Sequence, residues 1–219
     1  MGKEELAMEI VMLAAGTSTR MGRTNKMLLP YNGMSMVCHC CLQALAFLQK
    51  YSEQNDESCT LIVVTGYRSA SVQKALAPCK EFIEHTSSRL EMLIVENKDY
   101  KNGQFSSTKT GVRQVEEGQA FFISLADMPL VRAEHYMALV PLLQDHDAVR
   151  PFYEENGTRI PGHPVLHAYR LKEAILKCPD DWTVSKILKK ADVLEPLFKD
   201  SAFCKDVDSP DDFNSIAIS

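Results

Sequence analysis

Three cations lie within seven positions of a small-residue loop near the start of this acidic chain. Arg20, Arg23 and Lys26 follow a short apolar run and the small residues of the stretch LAAGTST. The backbone N–H groups and hydroxyls of such a loop can wrap an anion, and the cations add fixed positive charge. The stretch therefore predicts a phosphate-binding loop. A surface loop with solvated cations is the alternative.

The loop differs from the two common glycine-rich phosphate motifs. Gly16 and Gly22 are separated by five residues and Arg23 follows Gly22, whereas a P-loop needs GxxxxGK[ST]. The stretch does not contain the GxGxxG dinucleotide-binding pattern either. The anion site is therefore predicted from the strand end and its small residues.

A single carboxylate ends an otherwise uncharged apolar run in the middle of the chain. Asp127 follows the run AFFISLA and precedes Pro129 in the motif ADMP. Ligands of open α/β sheets bind at the carboxyl ends of strands, and Mg²⁺ prefers one or two carboxylates together with phosphate oxygens. Asp127 is therefore predicted to bind Mg²⁺. Capping of a helix near residues 129–143 is the alternative.

Two acids near the carboxyl terminus, Asp206 and Asp208, are candidates for a second metal ligand. Their alternating positions place both on one face of the short strand predicted in FCKDVD. The following Ser209-Pro210 is typical of a helix start, where acids favour the positive end of the helix dipole. The residues alone leave these two interpretations equal.

Four short apolar runs are typical of strands buried on both faces of a parallel sheet: EIVMLAA, TLIVVTG, LEMLIV and AFFISLA. Helical spacing occurs in the segments SMVCHCCLQALAFLQK, SASVQKALAPC, SSTKTGVRQVEEG and RAEHYMALVPLLQ. This alternation predicts an α/β fold with a three-layer, doubly wound, mostly parallel sheet. The loops after strands one, three and four then share one rim and would build the ligand crevice.

The last third of the chain has a different pattern. Asn156-Gly157 lies between two extended segments and predicts a β-hairpin, interpreted as a small antiparallel extension beside the sheet. A helix pair at about 169–177 and 182–190 precedes the short strand and a final helix. Because no linker or low-complexity tract interrupts the chain, residues 1–219 are predicted to form a single domain.

Composition restricts the partners and the compartment. The net charge of −5 argues against a general nucleic-acid surface. The apolar runs are shorter than the roughly 20 residues of a membrane helix, and the polar amino terminus lacks a leader-like pattern. Seven irregularly spaced cysteines are typical of free thiols in a reducing compartment. A cytoplasmic protein that binds neither nucleic acid nor membranes is therefore predicted.

Five motifs occur in the order seen in one nucleotidyltransferase group: LAAGTSTRMG with the following Lys26, GQFSSTKTGV, ADMP, RIPGHPV and DVDSPDD. Over about residues 9–213, the chain resembles the molybdenum cofactor cytidylyltransferases, the CTP-using branch of the MobA-like NTP transferases. The resemblance implies a nucleotide-diphospho-sugar transferase-like fold. It also implies Mg²⁺-dependent transfer of CMP from CTP to molybdopterin cofactor, with release of pyrophosphate and a molybdenum hydroxylase as protein partner.

The resemblance also assigns roles to individual residues. The catalytic residues would be Arg20, Lys26 and Asp127. The metal ligands would be Asp127 and Asp208. The residues that contact the nucleotide would be Leu13, Ala14, Ala15, Gly16, Thr17, Ser18, Gly103, Ser106 and Ser107. The residues near the acceptor would be Gly162 and His163.

Residues 178–190 depart from the family. Relatives carry a segment like Gly-Asp-x-Gly-Ala-Arg, whereas this chain has Asp181-Trp182-Thr183 without glycine. Two alternatives for the function therefore stay open: transfer to a sugar 1-phosphate or another phosphorylated acceptor, and a non-catalytic carrier that delivers the cofactor to a hydroxylase. Trp182 could stack on a flat pterin or belong to the core.

Overall fold

The computed structural model describes residues 7–17, 25–86 and 88–217, in which strands and helices alternate. The strands are β1 (Met8–Ala14), β2 (Pro30–Tyr31), β3 (Met34–Ser35), β4 (Cys59–Thr65), β5 (Leu90–Glu96), β6 (Ala120–Leu125), β7 (Ala148–Val149), β8 (Phe152–Glu155), β9 (Thr158–Pro161), β10 (Val165–His167), β11 (Val193–Leu194) and β12 (Leu197–Phe198). The α-helices are α1 (Met36–Asn55), α2 (Ser69–Ala75), α3 (Ala77–Glu84), α4 (Gln104–Val112), α5 (Ala133–Leu139), α6 (Arg170–Lys177), α7 (Val184–Leu188) and α8 (Pro210–Ala217). Short 3-10 helices lie at Lys26–Leu28, Tyr100–Asn102, Val140–Leu142 and Ser201–Phe203.

The central sheet has the strand order β11-β7-β10-β6-β1-β4-β5. β10 runs antiparallel to both of its neighbours, and the other adjacent pairs are parallel. The predicted α/β fold with a mostly parallel sheet is therefore confirmed.

The strand β1 shows why the sheet lies between two helical layers. Ile10 and Met12 pack into the core that contains the buried face of α1, whereas Val11 and Leu13 pack into the core that contains α4. Side chains alternate between the two faces of a strand, so a strand covered on both faces needs apolar residues at every position. This double coverage explains the continuous apolar runs of the sequence.

Parallel pairing brings the carboxyl ends of β1, β4 and β6 to one edge of the sheet. Ala14 lies opposite Thr65, and Leu13 lies opposite Leu125. Beyond β6, the Ala126 N–H donates to the Leu13 carbonyl oxygen at 3.1 Å and continues the pairing by one residue. β5 ends at the same edge, because Thr65 lies opposite Glu96. The loops after β1, β5 and β6, which are the predicted strands one, three and four, therefore start from one rim, as predicted.

The hairpin prediction is also confirmed. β8 and β9 pair antiparallel around Asn156 and Gly157, which have φ values of 52° and 77°. Positive φ at both central residues is the geometry of the two-residue turns that match strand twist. β12 adds to this small sheet in parallel with β8, so the extension is not purely antiparallel.

The prediction of a short strand at residues 203–208 was wrong. Phe203 ends a 3-10 helix, and the described chain from Lys205 to Asp208 has no regular secondary structure. The Val207 N–H donates to the Asp127 carbonyl oxygen at 2.9 Å, a single backbone bond where a strand would need a ladder. That bond nevertheless brings the carboxyl-terminal acids to the rim.

Prolines explain two differences in the helices. The segment predicted as one helix over residues 69–79 breaks at Leu76, and Pro78 lies in the first turn of α3. The helix α5 ends at Leu139, and Pro141 lies in the following 3-10 turn. Proline lacks the N–H that a continuing helix needs, so it is tolerated only in a first turn.

The cysteines of the chain carry free thiols, and five of them are buried: Cys38, Cys40, Cys41, Cys59 and Cys79. Burial and the nearby carboxylates of Glu57 and Glu9 raise the pKa of Cys59 to about 11, so this thiol stays protonated at neutral pH. Among the described residues, no helix has the length and apolar character required to cross a membrane.

A buried acid in β1 gives the fold a pH-dependent stability. Glu9 is 3% exposed and accepts the Glu116 N–H through Oε2 at 3.0 Å. Burial raises the pKa of Glu9 to about 7 from 4.5. The folded state therefore binds a proton that the unfolded state releases, and this contribution to stability, complete below about pH 4.5, is lost as the pH rises through 7.

Glu9→Gln is expected to raise the free energy of unfolding at pH 8 by about 2–3 kcal/mol, because the amide stays neutral and its oxygen can still accept the same bond. At pH 4.5 the variant and the parent should have nearly equal melting temperatures. The measurement is thermal unfolding of both proteins from pH 4.5 to 8. A difference in melting temperature that does not change with pH would contradict the assignment.

Candidate active site

A cavity of about 440 Å³ opens at the rim where β1 and β6 end. Residues from four segments of the chain and from the start of α4 surround it: Leu13, Ala15, Gly16, Thr17, Lys26, Met27, Tyr100, Lys101, Gly103, Gln104, Ser107, Leu125, Asp127, Asp206 and Asp208. The predicted ligand crevice and this cavity therefore occupy the same place.

The loop after β1 supplies one side of the cavity. The predicted nucleotide residues that line it here are Leu13, Ala15, Gly16 and Thr17. Ala14 is fully buried in the core on the other face of β1, so its side chain does not line the cavity. Ser18 and Arg20 lie outside the described residues, and their roles stay predictions.

Residues outside the predicted motif anchor this loop. Buried Asn25 accepts the Met27 N–H through Oδ1 at 3.0 Å and donates from Nδ2 to the Tyr67 carbonyl oxygen at 3.2 Å. At Gly66, a β-carbon would lie only 2.9 Å from that of Ala15. These contacts fix the 3-10 helix that carries the predicted catalytic lysine. An asparagine before a helical turn is a common cap, so the sequence did contain a signal for Asn25.

Three carboxylates and one ammonium group meet at the edge of the cavity. Asp127, Asp206 and Asp208 each offer an oxygen atom, and these atoms lie within 4.8 Å of one another. Lys26 Nζ lies 2.5 Å from Asp127 Oδ2 and 2.9 Å from Asp208 Oδ1. The fold thus brings together the predicted catalytic lysine, both predicted metal ligands and a third acid.

The sequence left open whether Asp127 and Asp208 bind a metal or cap a helix, and their positions show that neither is needed as a cap. The helix α5 begins at Ala133, and its third residue, His135, accepts the Arg132 N–H, so Asp127 is not its cap. At the start of α8, Asp212 Oδ2 accepts the N–H groups of Asp208 and Ser209. Ser209 Oγ in turn accepts the Asp212 N–H at 3.2 Å, so Ser209 and Asp212 together cap this helix, and the Asp208 carboxylate pairs with Lys26 instead.

The charges of the cluster raise the pKa values of both Lys26 and Asp206. Burial opposes the charge of Lys26, but the carboxylates of Asp127 and Asp208 outweigh it and raise the pKa of Lys26 above its usual value. Partial burial and the negative charges of Asp208 and Asp127 raise the pKa of Asp206. The cluster thus keeps its ammonium protonated and contains an acid that would ionise more readily beside another cation.

The three carboxylates fit a divalent metal ion. Mg²⁺ binds hard oxygen ligands at about 2.0–2.1 Å with octahedral geometry, which separates its ligands by about 3–4 Å. The oxygens of Asp127, Asp206 and Asp208 lie within 4.8 Å of one another, so no pair is much farther apart than that spacing. Small side-chain rotations would bring two of them onto one ion, with water and phosphate oxygens to complete the set.

The start of α4 forms the opposite side of the cavity. Gly103 and Ser107 line it, as predicted, and Gly103 has a φ of 98° at the helix start. Ser106 Oγ donates to the Gly103 carbonyl oxygen at 2.8 Å and so holds the turn rather than the cavity wall. Buried Asn97 donates from Nδ2 to the hydroxyls of Ser106 and Ser107, both at 2.9 Å. Asn97 is a supporting residue that sequence reasoning missed.

A second cavity of about 420 Å³ adjoins the first. The two cavities share Leu13, Gly103 and Gln104 in their walls. Both predicted acceptor residues, Gly162 and His163, line the second cavity. The structure thus places the predicted nucleotide and acceptor residues on neighbouring cavities.

Close packing holds the segment that carries the acceptor residues. The N–H groups of Gly162 and His163 donate to the carbonyl oxygens of Pro151 and Phe203 at 2.8 and 2.7 Å. A β-carbon at Gly162 would lie 2.4 Å from the Phe203 oxygen, so this position requires glycine. Burial lowers the pKa of His163, which therefore stays neutral near pH 7 and can donate or accept a hydrogen bond.

Sequence reasoning missed one cation of the second cavity. Arg150 lines it, and its side chain is 16% exposed. Arg150 Nη2 pairs with Glu195, while its buried Nε has no hydrogen-bond partner among the described residues. Trp182 also lines this cavity, and Lys190 Nζ lies 4.6 Å from the centre of its ring.

Known proteins resemble this chain over most of its length. A family model described as MobA-like NTP transferase domain matches residues 10–195. The molybdenum cofactor cytidylyltransferase of Escherichia coli strain K12 is 28% identical over 207 residues, which cover 94% of each chain.

Solved structures share the fold. Rv0371c from Mycobacterium tuberculosis H37Rv has a TM-score of 0.74 at 21% identity and covers 98% of both chains. The nucleotidyl transferase Mth528 from Methanothermobacter thermautotroptrophicus has a TM-score of 0.70 at 19% identity, over 97% of this chain and 96% of that one.

Proposed function

The chain belongs to the MobA-like NTP transferase family of nucleotidyltransferases, and from that premise we propose that it transfers CMP from CTP to molybdopterin cofactor with release of pyrophosphate. The reaction would depend on Mg²⁺. The product would be the dinucleotide form of the cofactor, with a molybdenum hydroxylase as the downstream partner. The similarity to the Escherichia coli cytidylyltransferase supports this choice of nucleotide and acceptor.

One observation carries the proposal: the cavity with the cation and the acids shares a wall with the cavity of the acceptor residues. Leu13, Gly103 and Gln104 belong to both walls. A nucleotide in the first cavity and an acceptor in the second would therefore meet across these residues. Transfer of a nucleotidyl group needs this approach, because an acceptor oxygen attacks the α-phosphorus and pyrophosphate leaves on the opposite side.

The residues around the first cavity would act on the triphosphate. When bound by Asp127 and Asp208, with Asp206 as a third candidate ligand, Mg²⁺ would neutralise charge on the phosphate oxygens. Lys26 would move from the carboxylates to the phosphates and stabilise the charge that grows on the leaving group. Arg20, a predicted catalytic residue outside the described chain, would add a second cation.

The acceptor needs no general base on the protein. A phosphate monoester has its second pKa near 6, so the attacking oxygen is already ionised at neutral pH. Neutral His163 would orient the acceptor through a hydrogen bond rather than take a proton from it. Arg150, whose Nε has no partner among the described residues, would supply positive charge for the acceptor phosphate.

The test is pyrophosphate release by the purified protein with CTP, GTP, ATP or UTP, each with Mg²⁺ and with or without molybdopterin cofactor. Pyrophosphate release is expected only when CTP and molybdopterin cofactor are both present. Omission of Mg²⁺ should abolish this release. Release with another nucleotide would overturn the choice of CTP.

An alternative acceptor is favoured by the departure of residues 178–190 from the family. This segment supplies Asp180, Asp181 and Trp182 to the wall of the second cavity, where relatives carry a glycine-rich segment. The same assay with sugar 1-phosphates and CTP would identify such an acceptor. Pyrophosphate release with a sugar 1-phosphate, and none with molybdopterin cofactor, would show that the proposed acceptor is wrong. The proposed reaction type, nucleotidyl transfer, would still hold.

A further inference from the structure

A lysine of α4 is buried without lying at the proposed reaction centre. Lys109 is 7% exposed. Its Nζ donates to the Cys178 carbonyl oxygen at 2.5 Å and to Asp180 Oδ1 at 2.7 Å. Withdrawing an ammonium group from water is unfavourable unless hydrogen bonds and an opposite charge compensate for it. Such a group is therefore unusual for a helix that needs only to cover the sheet.

The contacts of Lys109 join the two sides of the second cavity. On one side, α4 contributes Phe105 and Thr108 to the cavity wall. On the other side, residues 180–185 contribute the wall that contains Trp182. Lys109 therefore connects α4 to residues 178–190, the segment that differs from the family.

Two contacts act on the Trp182 ring itself: it packs at the edge of the core that contains α4, and Lys190 Nζ lies 4.6 Å from its centre. The backbone of the turn between α6 and α7 needs its own attachment. The Trp182 N–H donates to the Pro179 carbonyl oxygen at 3.1 Å, which closes a turn but does not attach it to the sheet. Cys178 and Asp180, the two residues that Lys109 binds, flank that proline. Lys109 thus attaches this turn, which leads into Trp182, to α4.

We infer that Lys109 is a positioning residue that holds Trp182 in the wall of the second cavity, where the indole stacks on a flat ring of the acceptor. The identity of that ring rests on the proposed function. A ring stacked between an aromatic face and the opposite wall is held by its shape and surface rather than by charge. The position of the indole then affects the affinity for the acceptor. The affinity for the nucleotide should not change, because neither Trp182 nor Lys109 lines the first cavity.

The chain has one tryptophan, so fluorescence excited at a wavelength that tyrosine does not absorb reports on Trp182 alone. The variants are Lys109→Met, which keeps the length of the side chain, and Asp180→Ala, whose native side chain is 73% exposed. Lys172→Met is the matched control, because Lys172 Nζ also donates to a backbone carbonyl oxygen, that of Val115, away from this cavity.

Both variants are expected to raise the acrylamide quenching constant of Trp182 about twofold, because the segment loosens. They should weaken binding of a free pterin, followed by quenching of Trp182, about tenfold, while the affinity for CTP changes by less than about twofold. The control should match the parent protein. For the catalysed reaction, the KM for the acceptor should rise with little change in kcat.

Unchanged acrylamide quenching, or unchanged pterin affinity, in Asp180→Ala would overturn the inference. This variant decides the question if Lys109→Met does not fold, since it removes an exposed side chain and the buried Lys109 ammonium group keeps its hydrogen bond to the Cys178 carbonyl oxygen. Acrylamide quenching requires no substrate and tests the positioning alone. Pyrophosphate release by the parent protein tests the proposed function, so the two failures are distinguishable.

Discussion

Asp127→Asn is expected to reduce turnover by about 10³-fold while the protein stays folded, because the substitution removes one charge at the proposed metal and phosphate site. An amide oxygen is a weaker ligand for Mg²⁺ than a carboxylate. Lys26 keeps its contact with Asp208, so the loss of Asp127 does not leave the buried ammonium group without an opposite charge. The effect should fall on catalysis much more than on stability.

The measurements for Asp127→Asn are steady-state turnover, Mn²⁺ affinity and thermal unfolding. Asp56→Asn is the matched control, because Asp56 forms an exposed ion pair with Arg89 at 3.1 Å. Its backbone is left-handed with a φ of 56°, a conformation that asparagine also adopts, so the control changes charge without backbone strain. Near-normal turnover by Asp127→Asn would refute the proposed role of the acid cluster.

The central strands were predictable because their apolar residues report burial directly. The runs in β1, β4 and β6 are continuous since both faces of each strand are covered, and that signal needs no distant contact. The run in β5 was expected to be buried in the same way, but β5 is an edge strand in which Glu91 is exposed and Leu93 is 40% exposed. The ends of helices were less predictable. Pro78 and Pro141 indicated breaks, but the sequence also allowed each proline within one longer helical segment. The helix α7 (Val184–Leu188) is shorter than its periodic pattern because the preceding turn has its own backbone bond at Trp182.

The candidate site shows a different limit of sequence reasoning. Residue types and strand ends were enough to select Lys26 and Asp127, whereas Asp208 was chosen as a metal ligand through the family resemblance. Their mutual contact was not predictable, because 182 positions separate Lys26 from Asp208 in the sequence. Asp206 was expected beside Asp208 on a strand. The structure brings it there through the single bond of Val207 to the Asp127 carbonyl oxygen, so the proximity was predicted for the wrong reason.

The contact between Lys26 and the acids implies a competition with the metal. Lys26 Nζ is within 2.9 Å of one oxygen of each predicted metal ligand, where a divalent ion would need the same oxygens. An ammonium group therefore neutralises the acids before substrates bind. A triphosphate would compete for the lysine and so release the carboxylates. Metal and nucleotide should consequently bind more tightly together than either does alone.

Lys26→Met is expected to separate the two roles of this side chain. Without the ammonium group, Mn²⁺ should bind at least about fivefold more tightly in the absence of nucleotide, because a repulsion of about 1–4 kcal/mol between close like charges is removed. Turnover should nevertheless fall about 10²-fold, since a charge that stabilises the leaving group is lost. Electron paramagnetic resonance of free Mn²⁺ measures the first effect, and pyrophosphate release measures the second. Lys177→Met, which removes an exposed lysine paired with Glu173, should change neither. Unchanged or weaker Mn²⁺ binding by Lys26→Met would show that the lysine does not compete with the metal, whatever its effect on turnover.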